Sequence, residues 1–163
     1  MSIYMKIDSI KGDVTAKNYQ GWIELNDYHF NSSKTITHRP GSLHNRAVSL
    51  PSFSQLTATK KTDCASPLLF SNTCENKSLG TLLIHTNRTS NQLEYYLEIK
   101  VYDAMLSSYD IGCWDDANKN SDAAEELRIS YSKLEIKYIP RDSQNKAMSP
   151  ISAGYDLERS EII

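Results

Sequence analysis

The sequence predicts a mainly β domain, an antiparallel β-barrel or sandwich with one short flanking α-helix. Three observations carry that reading. Apolar residues recur with a period of two, the mark of strands buried on one face. Turn residues punctuate these runs at short intervals, with no strand–helix–strand alternation. A single stretch carries the chemistry of a helix start. No internal repeat or linker divides the 163 residues, so one domain spanning 1–163 is expected. A chain of that length hides ~70% of its unfolded surface without needing disulfides.

The elements follow in order. Ile3, Met5 and Ile7 share a face opposite Lys6 and Asp8, and Lys11-Gly12-Asp13 reads as a turn. A second strand is expected over 21–30, with Trp22, Ile23, Leu25, Tyr28 and Phe30. Its alternation is imperfect, which predicts a bend or a two-sided environment. Residues 31–46 change character: Ser, Thr, Pro and Gly punctuate them, and His38, Arg39, His44 and Arg46 make them basic. A connection this long is more often functional than passive. Thr35, Thr37, His38, Arg39, Pro40 and Arg46 are therefore the candidates for contact with a partner.

A third strand is expected over 47–59, broken or edged by Pro51. Ser66 and Pro67 then predict a helix of about three turns, with Ser66 as the cap and Pro67 at the first helical position. Asn76-Lys77 would end it. Residues 79–87 form a short strand, followed by a turn through Arg88-Thr89-Ser90-Asn91. Leu93, Tyr95, Leu97, Ile99 and Val101 then alternate cleanly with Glu94, Tyr96, Glu98, Lys100 and Tyr102. That strand should have one dry and one wet face, with Glu94, Glu98 and Lys100 together on the wet one. Residues 113–124 read as loop. In the next strand Leu127, Ile129 and Tyr131 are odd while Leu134, Ile136 and Tyr138 are even, which predicts a bulge near Ser132-Lys133. A final segment, 154–158, is expected as an edge strand.

Composition excludes several function classes. Eighteen basic and twenty acidic residues give a net charge of −2, and Lys60-Lys61 is the one adjacent basic pair. Nucleic-acid binding, which needs clustered cations, is not expected. Neither is membrane insertion, since no apolar run approaches the ~18 residues required. The first residues carry no secretory signal pattern, so synthesis and assembly in the cytoplasm are expected, with any export by a route that cleaves no signal. Cys64, Cys74 and Cys113 have no metal-ligand spacing. If helical, 64–74 separates its ends by about 15 Å, too far for a disulfide. All three are expected as reduced, partly buried thiols.

No catalytic or metal motif is present, and no cofactor is expected. Residues 116–122 resemble the start of a calcium loop, but Ser121 and Leu127 stand where such a loop needs Gly and Glu. His29, His38, His44 and His85 form no ligand pattern. Serine is abundant without a nucleophile setting. The three Asn-X-Ser/Thr matches are read as chance ones.

Several fragments together resemble the haemolysin-coregulated protein (Hcp) family, the tube component of bacterial type VI secretion systems. The opening Ile3-Tyr4-Met5-Lys6-Ile7-Asp8-Ser9-Ile10-Lys11-Gly12-Asp13 is similar to the family's first strand and its Ile-X-Gly-Asp turn. Asp63-Cys64-Ala65-Ser66-Pro67 resembles its helix entry, and Leu106-Ser107-Ser108-Tyr109 a V-S-S-Y segment. The run from Leu127 through Tyr131, Leu134 and Ile136 to Tyr138-Ile139-Pro140 is similar to its near-terminal strand, and Gly154-Tyr155-Asp156 to its closing G-W-D. Tyr28-His29-Phe30 departs from the family's Trp-Gly pair.

The resemblance implies a barrel closed into a hexameric ring, with rings stacked into a tube that is secreted to the extracellular space or a target cell. It implies spike and sheath proteins as partners, effector cargo in the lumen, and a loop after the second strand that reaches a neighbouring subunit. It implies no enzymatic activity. The other functions considered are a phage-type tail-tube subunit and, further off, a small β-barrel hydrolase or ligand carrier.

Overall fold

A computed structural model describes residues 1–38, 40–41, 46–88, 94–113 and 123–163. Strand β1 (Ser2–Ile7) pairs antiparallel with β2 (Ile23–Leu25) on one side. Its chain then bends at Asn26, whose N–H donates to the Thr59 carbonyl at 2.8 Å, and continues as β3 (Asp27–His29). The bend expected from the broken alternation is therefore real, and it moves the chain from one partner strand to another. Two further two-stranded ladders follow, β4 (Ser32–Ser33) with β7 (Ser52–Phe53) and β5 (Ile36–His38) with β6 (Arg46–Val48). Strand β8 (Leu56–Lys61) returns to pair with β3.

After helix α1 (Ser66–Cys74), β9 (Gly80–Arg88) pairs with β1 and with the long β10 (Glu94–Gly112). The second half of β10 pairs with β11 (Ala124–Ser130) and its first half with β12 (Lys133–Tyr138). Strand β11 also pairs with β8. The circuit β2–β1–β9–β10–β11–β8–β3 closes through the bent β2–β3 segment, which removes free edges from the barrel. Beyond it, β13 (Ile151–Asp156) and β14 (Glu161–Ile162) extend the sheet from β12. The closing segment is thus an inner strand of this extension, and β14 takes the edge.

The predicted bulge near Ser132-Lys133 appears as a break between β11 and β12 at Tyr131–Ser132. Asp103, opposite it on β10, adopts a left-handed φ of 51°. Ser132 N–H donates to the Tyr102 carbonyl and its hydroxyl to Asp103 Oδ2. Both long strands therefore turn the same corner, pinned by one serine.

Met5, Ile23, Leu56, Leu82, Ile84 and Leu127 are fully buried in the barrel. Each such side chain contributes about 1.5–3 kcal/mol of apolar burial. Helix α1 covers one side of it, inserting Leu69. Its predicted cap is corrected. Ser66 is the first helical residue, and its Oγ accepts from Asp63 N–H (3.0 Å) and from the Lys60 ammonium (3.2 Å). Asp63 Oδ1 accepts the Ala65 N–H instead. Lys60, half of the one adjacent basic pair, is completely buried and paired with Glu125 (2.8 Å) and Asp63 (2.9 Å). The Asp-X-Ala-Ser-Pro entry thus ties the helix to a buried ammonium. Cys64 and Cys74 are exposed free thiols and Cys113 is exposed, so the expected partial burial does not occur. No helix among the described residues is long and apolar enough to cross a membrane.

Candidate assembly surface

The stretch expected as a long loop is a hairpin arm standing off the barrel. Its root is a closed pair: Asn31 N–H donates to Ser54 Oγ (2.7 Å), and Ser54 N–H to the Asn31 carbonyl (2.9 Å). Ser32 and Ser33 then face Phe53 and Ser52. A second clamp follows, with Thr35 N–H donating to Ser49 Oγ and Ser49 N–H to the Thr35 carbonyl. Past it Ile36, Thr37 and His38 face Val48, Ala47 and Arg46. Pro51, which has no N–H to offer, lies in the gap between the two ladders. The arm is therefore built from backbone pairs and serine hydroxyls.

Two contacts fix the root to the barrel side. Tyr131 donates its hydroxyl to the Ser54 carbonyl at 2.8 Å, and Phe53 stacks on Tyr155 with centroids 4.9 Å apart. Beyond the root, no described residue of the arm is buried. Thr35, Thr37, His38 and Pro40 are exposed, and Arg46 contributes its backbone to β6. Arg39 lies outside the described residues. The arm also carries an apolar side the sequence reading did not single out: Ile36, Val48 and Leu50 are 48%, 58% and 71% exposed. Paired apolar residues with no dry face beneath them are hard to see as strands, because their signal depends on one-sided burial. Between the arm and the β13–β14 hairpin lies a groove of about 650 Å³, lined by Val48, Leu50, Pro51, Phe53, Tyr155 and Ile162 among others.

The candidate wet-face residues divide. Tyr96 is an extra residue in β10, because Tyr95 sits opposite Asn87 while Leu97 sits opposite Thr86. This bulge takes Glu94 off the face of Glu98 and Lys100 and corrects the expectation that all three share one side. Glu94 is exposed and ion-paired with Arg141. Glu98 is mostly covered: it accepts from His85 Nε2 at 2.8 Å and lies 4.0 Å from the Lys137 ammonium. Lys100 remains half-exposed over the Tyr102 ring, at 4.8 Å from its centroid. Tyr102 donates to Glu135 and Lys133 pairs with Asp156, so the outer face of β9, β10 and β12 is a ladder of compensated charges.

Among the described residues no three His, Cys, Asp or Glu side chains converge to hold a metal ion. The calcium-like stretch 116–122 lies outside those residues, as do residues 89–91 of the turn expected over 88–91, whereas Arg88 ends β9.

The barrel thus closes on itself and leaves the apolar side of a hairpin exposed outside it. The family described as "Type VI secretion system effector, Hcp" matches residues 4–138, well over half of the chain. The chain belongs to the Hcp family of type VI secretion systems, whose members are secreted tube proteins with a structural role.

Similar folds include a structure titled as a type six secretion system protein (TM-score 0.90, 22% identity, 99% of each chain covered). Hcp1 from Salmonella typhimurium has a TM-score of 0.79 at 22% identity, covering 99% of this chain and 98% of its own. A type VI secretion system effector from Yersinia pestis has a TM-score of 0.73 at 22% identity, covering 94% and 98%. No curated protein matches the sequence. The fold class expected from the sequence and the secretion-tube role are thereby established for this chain.

Proposed function

We propose that the chain closes into hexameric rings that stack into a tube, with the arm as the element that joins one subunit to the next. The observation carrying this is the arm itself: an ordered hairpin with Ile36, Val48 and Leu50 exposed. Apolar patches of that kind on soluble proteins mark interaction surfaces. Six copies joined head to tail can close a ring, and a heterologous contact that does not close continues as a stack. The barrel is the wall of the tube, the half-wet ladder through Glu98 and Lys100 faces its lumen, and the space inside admits effector cargo. Spike and sheath proteins complete the machine.

Native mass spectrometry and negative-stain microscopy test this together. Six-fold annuli that stack at high concentration are expected. Removing residues 35–49 should leave the barrel folded and abolish stacking. A strictly monomeric full-length chain would overturn ring formation, and unchanged stacks without the arm would remove the arm from the mechanism.

A further inference from the structure

A second feature lies away from the arm. Residues 11–22 fold back over the β1–β9 face, pinned by Gly12 N–H to the Gly21 carbonyl (2.9 Å) and Gly21 N–H to the Val14 carbonyl (2.9 Å). Asn18 and Gly21 take left-handed φ values of 73° and 75°, which tighten this return. It sets Tyr19 and Trp22 beside His85 and Tyr95. The four rings form one cluster: Tyr19 to Trp22 4.9 Å edge-on, Trp22 to His85 4.8 Å, His85 stacked on Tyr95 at 4.0 Å. Next to them opens a cleft of about 350 Å³, with Ile139 and Ala147 also in its lining.

The size and lining restrict what fits. A cavity of roughly 150 Å³ already holds benzene, and small-molecule sites start near 300 Å³ with mostly apolar walls. Charge restricts it further. Glu94, at the rim, is paired with Arg141, whose other contact is the Asn145 carbonyl at 2.7 Å. Glu98, behind His85, is held by that imidazole and by Lys137. Tyr95 already carries the Lys137 ammonium 5.7 Å from its ring centre. The Tyr19 hydroxyl is used by Asn87 Oδ1 (2.8 Å) and lies 3.2 Å from His85 Nδ1. Among the described residues that line the cleft no uncompensated carboxylate is left to attract a cation, and the charge of Arg141 is matched by Glu94. Flat walls and balanced charge suit a ring that is itself flat and neutral, stacked or edge-on to its neighbours.

We infer that this cleft binds one neutral planar aromatic ring of indole size. None of the residues that line the cleft belongs to the arm.

Calorimetric titration of the full-length protein with indole, tetramethylammonium and benzoate tests it. Indole should bind saturably at one per chain, at least tenfold tighter than either ion. Ala147→Trp, which fills the cleft from an exposed position, should weaken indole at least tenfold with an unchanged circular dichroism spectrum. Tyr95→Ser, which removes a wall instead of filling the space, should weaken it as well and covers the case in which the first variant misfolds. Absence of saturable indole binding overturns the inference. So does equal or tighter binding of either ion, or unaltered indole affinity in the folded variants.

Discussion

The barrel and the arm are built from the same antiparallel ladders and differ in what lies beneath them. In the barrel, each strand has a dry face: Ile23, Leu56, Ile84 and Leu127 have no exposed surface. In the arm, β5 and β6 pair just as regularly, but every described residue of 32–41 and 47–50 is exposed. A lone two-stranded hairpin is marginally stable in water, so the arm's order must be borrowed. It comes from the Asn31–Ser54 closure, from Tyr131 holding the Ser54 carbonyl, and from Phe53 stacked on Tyr155. The lesson is a division of labour: burial fixes the scaffold, and the surface left uncovered is the one proposed for assembly. Substitutions should therefore separate cleanly into those that unfold and those that disconnect.

The largest effect on folding is expected at the buried ion pair. Glu125 and Lys60 have fully covered side chains, and Lys60 Nζ holds Glu125, Asp63 and Ser66 together. Glu125→Ala would leave an ammonium buried with its best partner gone, a loss of about 3–5 kcal/mol. Chemical denaturation should register it as a lower midpoint at unchanged slope. Lys60→Met combined with Glu125→Leu should regain most of the loss. If the single variant is near neutral, burial at this end of the barrel is not what secures α1.

A second, smaller effect is expected at Gly12. A Cβ there would stand 2.5 Å from the Trp22 carbonyl oxygen and 2.8 Å from Ile23 Cα, both backbone atoms that cannot swing aside. Gly12→Ala should destabilise by about 1–3 kcal/mol, the range for forced overpacking. A change below the error of thermal unfolding would mean that the 11–22 return can slide off the barrel.

These two sites also measure how much was legible beforehand. The strand period was visible wherever a dry face existed, as at Ile99 and Val101. The bend between Leu25 and Asp27 announced itself through broken alternation. Three features were hidden, each for a physical reason. The bulge at Tyr96 falls inside an unbroken alternating run, so only the partner strand's register reveals it. Lys60 sits beside Lys61 in sequence and reads as surface charge until Glu125 is brought to it by the fold. The arm's strands carry no burial signal, so residues 31–46 read as loop. The Tyr19, Trp22, His85 and Tyr95 cluster draws on three separate segments. Its one local cue was the aromatic pair flanking Gly21.

Acid provides a graded test on the barrel side. Burial pushes the His85 pKa below its ordinary value, against the opposing pull of Glu98 and in the presence of Lys137. The unfolded chain then binds a proton more readily than the folded one. Stability is full above the unfolded pKa of about 6.5 and erodes as pH falls below it, ceasing to fall once the folded pKa is passed. Denaturation midpoints measured downward from neutrality should show this loss, and His85→Phe should flatten it. An unchanged slope in that variant would assign the acid sensitivity to other groups.

The smallest effect on folding is expected where the effect on assembly is greatest. Leu50→Ser removes an apolar side chain that is 71% exposed and lines the groove against the β13–β14 hairpin. Surface changes of this kind alter stability by about 0.5 kcal/mol or less, so the denaturation midpoint should hold. Sedimentation at rising concentration should nonetheless show fewer stacked species, and Ile36→Ser, on the paired strand, should act in the same direction. Each change deletes apolar area from the proposed contact between copies while leaving each copy's own core intact. If both variants stack like the parent, the arm's apolar side is not the joint, and its basic end at His38 becomes the surface to alter next. If instead they lower the folding midpoint, the arm is part of the scaffold and the division between burial and assembly fails.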